Sequence, residues 1–384
     1  MNLDWTSREN TLFLNSKFPE TQAAHLRNAV SGALSLLQGH LLLLSSGTTA
    51  ISADDLKWVA LRKEAFLESA RAVNQHLKSG SSDVWLHALP DFHVGGLGIW
   101  ARSYLSGASV IKLHVWSAQN FMTLAQENHV SITALVPAQI FDLVKVGFRS
   151  PGSLRAVLVG GGALTPALYR SALALGWPLL PTYGMTETCS QVATASLDSL
   201  REGHGAEIPA LEVLPHLHVR ESSEGLLQIQ GSSLLTGYIY CGASSPTLED
   251  PKKENWFLSQ DRGIVDGRNL RIIGRSGDFV KIGGESVEMN RLREILDEVR
   301  SELAISADLV ILPVPDDRLG HVIHLISDSQ LSEKDRDLLI KRFNTTVLGF
   351  ERIRKWHSLN QIPRTALGKL IPSACVEWIQ SEAL

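Results

Sequence analysis

Short apolar runs alternate with longer amphipathic stretches from about residue 40 to residue 240. Leu41–Leu44, Ile132–Val136 and Ala156–Val159 are short, mainly apolar runs, which are typical of buried strands. Between the first two runs, apolar residues recur at steps of four and three and so share one helical face, namely Phe66, Ala70, Val73 and Leu77. Asp54 and Asp55 are candidates to cap the start of that helix. The alternation predicts an α/β architecture with a mostly parallel sheet.

The pattern changes after Pro209, where apolar and polar residues alternate as they do in half-buried strands. Leu226–Ile229 is one such segment. Asp266–Gly267 separates two others, and this dipeptide is typical of a tight hairpin turn. We therefore predict a small antiparallel, β-rich part within the large domain.

Beyond Arg275 the chain has the pattern of a small α+β domain. Apolar residues at helical spacing predict a helix, namely Leu292, Ile295, Leu296 and Val299. Leu309–Val314 and Val322–Ile326 are predicted strands, and Ser332 with Asp335 resembles the start of another helix. We predict a large domain over residues 1–276 and a small, mobile α+β domain over residues 278–384.

Composition narrows the class of protein. The 384 residues are 44% hydrophobic and 20% charged, with a net charge of −4, so nothing favours nucleic acid or stable membrane association. Three separated cysteines indicate neither a disulfide framework nor a metal site and favour a cytoplasmic location. Charged residues near the start do not resemble a secretory signal. The apolar run Leu34–Leu44 is too short for a membrane span and is interpreted as a buried strand.

One candidate phosphate-binding segment follows the first apolar run. It consists only of small residues, namely Ser45, Ser46, Gly47, Thr48 and Thr49. Such a turn can wrap backbone N–H groups around a phosphate, although an ordinary loop has the same composition. It is not a Walker loop, because no Gly-Lys-Ser/Thr follows it.

A more specific signal is the segment Pro181–Thr188, which reads Pro-Thr-Tyr-Gly-Met-Thr-Glu-Thr and is preceded by Val159–Leu164. Together they resemble the adenylate-forming superfamily of acyl-CoA synthetases, adenylation domains and luciferases, whose Tyr-Gly-x-Thr-Glu motif holds AMP and magnesium. The resemblance implies that Tyr183 stacks on adenine, Thr186 contacts the α-phosphate and Glu187 binds Mg²⁺. It also implies nucleotide contacts from four glycines, Gly160, Gly161, Gly162 and Gly184. A carboxylate at a helix start is an alternative reading of Glu187.

Further matches follow in the order of that superfamily. Asp261 and Arg275 match its ribose-binding pair, and Lys369 matches the lysine that bridges the acid and the α-phosphate. The resemblance implies a domain rotation about a hinge at Gly277. It also implies a loop that then lines the thiol tunnel, formed by Gly283, Gly284 and Glu285. Taken singly, each charged residue could be an ordinary surface residue.

Two features depart from the superfamily pattern. The phosphate segment continues with Ala50 where relatives have glycine, and Ile51–Leu56 replaces a short Pro-Lys connection. Lys57 is then the nearest lysine and the candidate for a nucleotide contact. The chain is also shorter than its relatives, so the sequence predicts an N-terminal subdomain that is truncated relative to the superfamily.

The acid is suggested by Leu89–Gly98, which resembles the Pro-x-Phe-His motif whose histidine shapes the acyl pocket. His93 is that histidine, although a buried structural histidine would also fit. With Arg102 and Gln139, this segment most resembles the superfamily's o-succinylbenzoate–CoA ligases of menaquinone biosynthesis. Their substrate is a dicarboxylate, and an arginine such as Arg102 could hold the carboxylate that does not react.

The resemblance implies an enzyme that forms an acyl-adenylate from ATP and a small carboxylic acid and then transfers the acyl group to coenzyme A, with Mg²⁺ as cofactor. Two alternatives remain open. The enzyme could act on another aromatic or aliphatic acid, with CoA or a carrier protein as acceptor. The chain could also be a degenerate nucleotide-binding protein without activity. The sequence leaves open whether the chain is a monomer or a homodimer.

Overall fold

The computed structural model describes residues 3–15, 20–44, 57–200, 207–241, 246–282, 285–316, 318–328, 331–365, 368 and 370–381. Within these ranges there are nine α-helices: α1 (Glu20–Leu34), α2 (Lys63–Leu77), α3 (Val94–Ser106), α4 (Ala118–Glu127), α5 (Pro137–Val146), α6 (Pro166–Ala174), α7 (Met289–Glu302), α8 (Glu333–Thr346) and α9 (Pro372–Ser381). The same ranges contain the strands β1 (Thr11–Phe13), β2 (His40–Leu44), β3 (Lys57–Arg62), β4 (Val84–His87), β5 (Ser109–Lys112), β6 (Ile132–Leu135), β7 (Ala156–Val159), β8 (Leu179–Met185), β9 (Ser190–Ala195), β10 (Leu211–Val213), β11 (Leu217–Glu221), β12 (Leu226–Gly231), β13 (Gly237–Tyr240), β14 (Thr247–Glu249), β15 (Phe257–Asp266), β16 (Asn269–Arg275), β17 (Phe279–Ile282), β18 (Glu285–Glu288), β19 (Leu309–Asp316), β20 (Gly320–Asp328) and β21 (Ile353–Leu359).

The largest sheet has eleven strands in the order β11-β12-β15-β16-β10-β9-β8-β7-β6-β4-β5. From β5 to β8 neighbouring strands are parallel, and from β8 to β11 they are antiparallel. The predicted α/β class is confirmed, with the parallel part between β4 and β8 and the β-rich part after it.

The parallel strands are apolar because both of their faces are covered. Every residue of β6 and β7 is buried, as expected for strands between two layers of helices. Helix α2 buries its predicted face, Phe66, Ala70, Val73 and Leu77. The predicted cap for α2 is wrong: Asp54 and Asp55 lie outside the described residues, and β3 separates them from the helix, whose N-cap residue is Arg62.

A second sheet of five strands has the order β1-β2-β3-β13-β14. The run Leu34–Leu44 contributes only β2 to this sheet, because Leu34 ends α1 and the chain turns at Gly39 with φ +65°. Interpreting the whole run as one strand was therefore wrong. The apolar face of α1 explains the misreading, since it buries Leu26, Val30 and Ala33 against the same sheet.

The antiparallel part contains the predicted hairpin. Strands β15 and β16 pair through Asp266 and Asn269, so the two-residue turn is Gly267–Arg268, one residue later than predicted, with Gly267 at φ +60°. Along β15 buried and exposed residues alternate over its first residues, which is the pattern of a strand with one face on the core. The antiparallel strand pairing predicted after Pro209 is confirmed.

Beyond the turn Ser276–Asp278 the chain forms a two-stranded sheet, β17-β18, and a three-stranded sheet, β19-β20-β21. Helices α7 and α8 pack on these strands in a hydrophobic cluster of their own. The predicted start of α8 is confirmed, because Ser332 Oγ accepts a hydrogen bond from Asp335 N at 3.1 Å. The domain boundary at Gly277 and the mobility of the small domain stay predictions. Across the described part of the chain, no helix combines the length and the apolar character needed to cross a membrane.

Candidate active site

The predicted site residues of the large domain gather at one edge of the main sheet. The loops after β4, β6, β7 and β8 all leave the carboxyl ends of neighbouring strands. In an open parallel sheet these ends form the crevice in which ligands bind. These loops, and the first turn of the helix that follows β6, carry His93, Gln139, the glycines Gly160–Gly162 and the pair Thr186 and Glu187.

Tyr183, Asp261 and Arg275 form one hydrogen-bonded chain. The Tyr183 hydroxyl donates to Asp261 Oδ2 at 2.7 Å, and Arg275 Nε donates to Asp261 Oδ1 at 2.9 Å. Asp261 and Arg275 face each other in the β15–β16 ladder, which explains how residues fourteen positions apart meet. Burial and the adjacent Asp261 carboxylate raise the pKa of Tyr183, so its hydroxyl keeps its proton. The structure thus brings together three residues that the sequence places separately.

The glycines next to these hydrogen-bonded residues lie where side chains would collide with the backbone. A Cβ at Gly184 would lie 1.9 Å from the Ser190 carbonyl oxygen, and one at Gly160 would lie 3.2 Å from the Thr182 carbonyl oxygen. Gly161 has φ +77°, a conformation that favours glycine. Gly161, Gly162 and Gly184 are exposed, so their backbone is accessible to a ligand.

Glu187 lies in the turn Thr186–Thr188, directly after β8, beside the half-buried Thr186. Its Oε1 accepts a hydrogen bond of 2.8 Å from the Tyr238 hydroxyl, and no other donor among the described residues is recorded on the carboxylate. The Lys57 ammonium lies 3.8 Å from the centre of the Tyr238 ring, in a cation–π contact. Tyr238 was not identified from the sequence, because β13 reaches this site only through sheet pairing with β3.

These contacts suit a magnesium ion held mainly by a nucleotide. Within the described ranges no cluster of three His, Cys, Asp or Glu side chains could hold a metal by itself. Mg²⁺ usually binds one or two carboxylates together with substrate phosphates and water. Tyr238 occupies one oxygen of Glu187 and leaves the other for a cation, so the residues present fit that form of coordination.

Arg102 of α3 is almost completely buried, with 2% of its surface exposed. Its Nη2 donates to Ser190 Oγ at 3.0 Å, its guanidinium lies 5.6 Å from the Trp85 ring, and its Nε is buried without a hydrogen-bond partner. Among the described residues no carboxylate pairs with it. Burial lowers the pKa of Arg102 to about 10, so the guanidinium is still charged near neutral pH.

Gly98 gives Arg102 the room for this position. It lies four residues earlier on α3, and its missing Cβ would be 3.1 Å from Arg102 Nη2. The arginine therefore extends along its helix towards the N-terminal end, the usual direction for long side chains. His93 is the N-cap residue at that end, and its ring lies 4.5 Å from the Phe92 ring.

Gln139 is engaged by the protein itself. Its Oε1 accepts from Val136 N at 3.0 Å, and its Nε2 donates to the Ala88 carbonyl oxygen at 3.1 Å. The side chain joins the loop before α5 to the loop before α3. Both ends of the amide are occupied, which indicates a structural role, and a direct contact with substrate stays a prediction.

Several predicted residues lie outside the described ranges: Ser45, Ser46, Gly47, Thr48, Thr49, Gly283, Gly284 and Lys369. Residues next to some of them in the sequence are described. A Cβ at Gly368 would lie 2.8 Å from Ala138 Cβ, so the residue before Lys369 lies against the first turn of α5. Glu285 is exposed at the start of β18. A Cβ at Gly277 would meet nothing within 4 Å, so this conformation by itself does not require glycine there.

Helix α7 packs against α5 and α6. Arg170 of α6 donates to both carboxylate oxygens of Glu298 at 2.7 Å, and the Thr165 hydroxyl bonds to Asp297. Arg300 lies 5.1 Å from the centre of the Phe141 ring of α5. These contacts hold α7 against α5 and α6, in the arrangement that also brings Gly368 to Ala138.

Comparison with known proteins gives a consistent result. The family of AMP-binding enzymes matches residues 33–239. A 2-succinylbenzoate–CoA ligase of Staphylococcus epidermidis is 27% identical over 338 residues, which cover 86% of this chain and 68% of the relative. The structure of E. coli MenE, an arginine-to-lysine variant with bound OSB-AMS, has a TM-score of 0.70 at 26% identity and covers 89% of this chain and 69% of that one.

A similar fold is found in the o-succinylbenzoate CoA synthetase of Bacillus subtilis, solved with the acyl-adenylate OSB-AMP. Its TM-score is 0.71 at 24% identity, covering 87% of this chain and 68% of that chain. This chain therefore spans about two thirds of the length of these proteins. The match of the AMP-binding family ends at residue 239, before Asp261 and Arg275.

Proposed function

The chain belongs to the AMP-binding enzyme family, and on this premise we propose that it is an ATP-dependent acid–CoA ligase with 2-succinylbenzoate as its acid. In the first step the carboxylate attacks the α-phosphate of ATP and pyrophosphate leaves. In the second step the sulfur of CoA displaces AMP and forms the thioester. The similarity to 2-succinylbenzoate–CoA ligases supports this assignment.

The proposed nucleotide contacts are based on the hydrogen-bonded residues Tyr183, Asp261 and Arg275. Asp261 accepts from both neighbours, and each of its carboxylate oxygens can accept a second hydrogen bond, which the proposal assigns to the ribose hydroxyls. Tyr183 is anchored through its hydroxyl, so its ring is held in place for stacking on the adenine. The exposed backbone of Gly161, Gly162 and Gly184 allows a base to approach closely, next to the partly buried Gly160.

Charge builds on the α-phosphate during adenylation, and positioned charges and donors stabilise such transition states. Thr186 and Lys369 are assigned this role, with Lys57 as a further cation near the phosphates. A magnesium ion on Glu187, when bound, would neutralise phosphate charge. The contact between Gly368 and Ala138 supports the assignment of Lys369, because Gly368 directly precedes Lys369 in the sequence and Ala138 belongs to α5, the helix that carries Gln139.

The single observation that carries the choice of acid is the buried guanidinium of Arg102. A buried charge without a counter-charge is unfavourable for folding, so its presence calls for a functional reason. A second carboxylate on the substrate would supply the missing counter-charge through paired hydrogen bonds. His93, at the N-terminal end of the same helix, would then shape the part of the pocket nearer the reacting carboxylate.

The second half-reaction is assigned to a different orientation of the small domain. Gly277 is proposed as the hinge, after which the loop with Gly283, Gly284 and Glu285 would replace Lys369 at the site. For this, the contacts of α7 with α6 must break. Gly277→Pro should slow thioester formation more than adenylation, because proline restricts φ at the pivot. Unchanged transfer to CoA in this variant would refute the hinge.

The test of the function is ATP–pyrophosphate exchange with a panel of acids, followed by thioester detection with and without CoA. Exchange that depends on 2-succinylbenzoate and a CoA-dependent thioester would support the proposal. Exchange that is better with a neutral aromatic or aliphatic acid would replace the substrate but keep the ligase. A thioester formed only with a carrier protein would change the acceptor. Nucleotide binding without exchange for any acid would identify a non-catalytic protein.

A further inference from the structure

A second polar network holds the loop that connects β4 to α3. Asp91 lies in this loop, two residues before His93. Its Oδ1 accepts a hydrogen bond of 2.8 Å from the indole of Trp100 on α3, and its Oδ2 accepts one from the ammonium of Lys112 on β5. One carboxylate thus joins the loop to a helix and to the edge strand of the main sheet.

His87 adds a third donor from β4. Its Nε2 lies 3.1 Å from Asp91 Oδ1 and 3.0 Å from the carbonyl oxygen of Gly96. Both partners are acceptors, so this nitrogen carries a hydrogen and shares it between them. The His87 ring is completely buried, and its centre is 5.2 Å from that of Trp100. The network therefore ties together β4, β5, the loop and the first turn of α3.

The loop is closely packed once these bonds are made. A Cβ at Gly96 would lie 2.2 Å from the Pro90 carbonyl oxygen, so the first turn of α3 rests directly on the loop. His93 N donates to the same oxygen at 3.2 Å. Gln139 holds the beginning of the loop through the Ala88 carbonyl. Few directions remain in which the backbone at His93 can shift while Asp91 keeps its partners.

The carboxylate stays ionised in this setting. Burial alone would raise the pKa of Asp91, but the hydrogen bonds from His87, Lys112 and Trp100 outweigh it and hold the pKa well below its usual range. Three donors on one half-buried carboxylate make a stronger anchor than an exposed ion pair, because charge-assisted bonds strengthen as water is excluded.

We propose that Asp91 is a positioning residue for the acyl pocket, holding His93 where the acid binds by anchoring the loop to Trp100, Lys112 and His87. The inference rests on the proposed function, which places His93 at that pocket. Asp91 does not touch the substrate itself in this assignment. A displacement of about 1 Å in a binding group can cost up to about a hundredfold in rate, so an anchor of this kind affects the reaction without taking part in it.

The test compares Asp91→Leu, Asp91→Asn and Lys112→Met with the unmodified chain in acid-dependent ATP–pyrophosphate exchange. For Asp91→Leu we expect the KM for the acid to rise about tenfold or more, with the KM for ATP within about twofold of its original value. Asp91→Asn keeps one acceptor oxygen and should show a smaller rise. Glu20→Gln is the matched control, because it neutralises a carboxylate in an exposed ion pair on α1.

A merely structural Asp91 would give a different result: a lower melting temperature with equal effects on both KM values, and this would overturn the proposal. If the unmodified chain shows no exchange with any acid, the proposed function fails, and the positioning role is judged by NMR of histidine-labelled protein instead. The resonance that disappears in His93→Gln should shift in Asp91→Leu and not in Glu20→Gln. An unchanged His93 resonance would refute the anchor whatever the substrate is.

Discussion

The two arginines of the candidate site have opposite surroundings. The side chain of Arg275, on the proposed nucleotide side, is 67% exposed and pairs with Asp261. Arg102, on the proposed acyl side, is 2% exposed, and the described residues offer it a hydroxyl and an indole ring but no carboxylate. Stability alone would favour the reverse, since an exposed charge needs no partner and a buried charge does.

The difference indicates which charges the protein balances itself and which it leaves for a ligand. The positive charge of Arg275 is neutralised by Asp261, so in the proposed assignment a ribose would meet hydrogen-bonding groups with little net charge. Arg102 keeps its charge in a site from which water is excluded, where a carboxylate would be bound strongly. A nucleotide brings its own phosphates and cation, whereas the charge needed for a second carboxylate must come from the protein.

The largest effect is expected from Arg102→Ala. Binding of a dicarboxylate should weaken by about 2–5 kcal/mol, the range for truncating one partner of a buried charge pair. An analogue without the second carboxylate should bind almost as before, so the two acids and two proteins form a double-mutant cycle. Competition for ATP–pyrophosphate exchange measures both affinities. Arg102→Lys should recover only part of the loss. Equal weakening of both acids would mean that the two arginines do not differ in function.

The next largest effect is expected at Lys369, which is proposed to contact both the acid and the α-phosphate. Lys369→Ala should slow acyl-adenylate formation by about a hundred- to a thousandfold, because one group that stabilises developing charge is lost. Thioester formation from a supplied acyl-adenylate should be nearly unchanged. Rapid-quench assays of the two half-reactions measure this split, and the conservative Lys369→Arg provides the control. A similar loss in both half-reactions would exclude a role confined to adenylation.

A smaller and complementary effect is expected from Asp261→Asn. The variant removes the counter-charge of Arg275 and one acceptor of Tyr183, so ATP binding should weaken by about 1.5–3 kcal/mol, typical of hydrogen bonds to charged groups. The preference for a dicarboxylate over a monocarboxylate should not change. Calorimetric titration measures the affinity for ATP, and competition between the acids measures the preference for a dicarboxylate. A changed acid preference would show that the two sides are coupled.

The smallest effect concerns stability, and here the loss of Arg102 is expected to be favourable, whereas the preceding variants lose binding or rate. Arg102→Met should raise the free energy of unfolding by about 1 kcal/mol or leave it unchanged, because an unpaired buried charge is replaced by apolar atoms of similar length. Arg275→Met should lower it slightly, since Asp261 would lose its partner. Urea unfolding measures both. A large loss of stability in Arg102→Met would mean that the arginine is structural and that no partner is missing.

The sequence predicted the architecture well where local periodicity carries the information. The buried face of α2, the hairpin at Asp266–Gly267 and the Ser332 cap each depend on neighbours within a few residues. It failed between β2 and α2, because the short strand β3 has no alternating pattern and is buried on four of its six residues. The end of α1 was missed for a similar reason, since helix and strand contribute consecutive leucines to one cluster.

The sequence by itself determined which residues are available for chemistry, because motifs such as Pro181–Thr188 are contiguous and their order can be read along the chain. Only the tertiary structure decided which of them meet and which remain unbalanced. Tyr238 reaches Glu187 from 51 positions away, and Ser190 reaches Arg102 from 88. Asp91 likewise finds Lys112 only because β4 and β5 lie side by side. Contacts of this kind depend on strand order, and the burial that leaves Arg102 without a carboxylate exists only after the layers have packed.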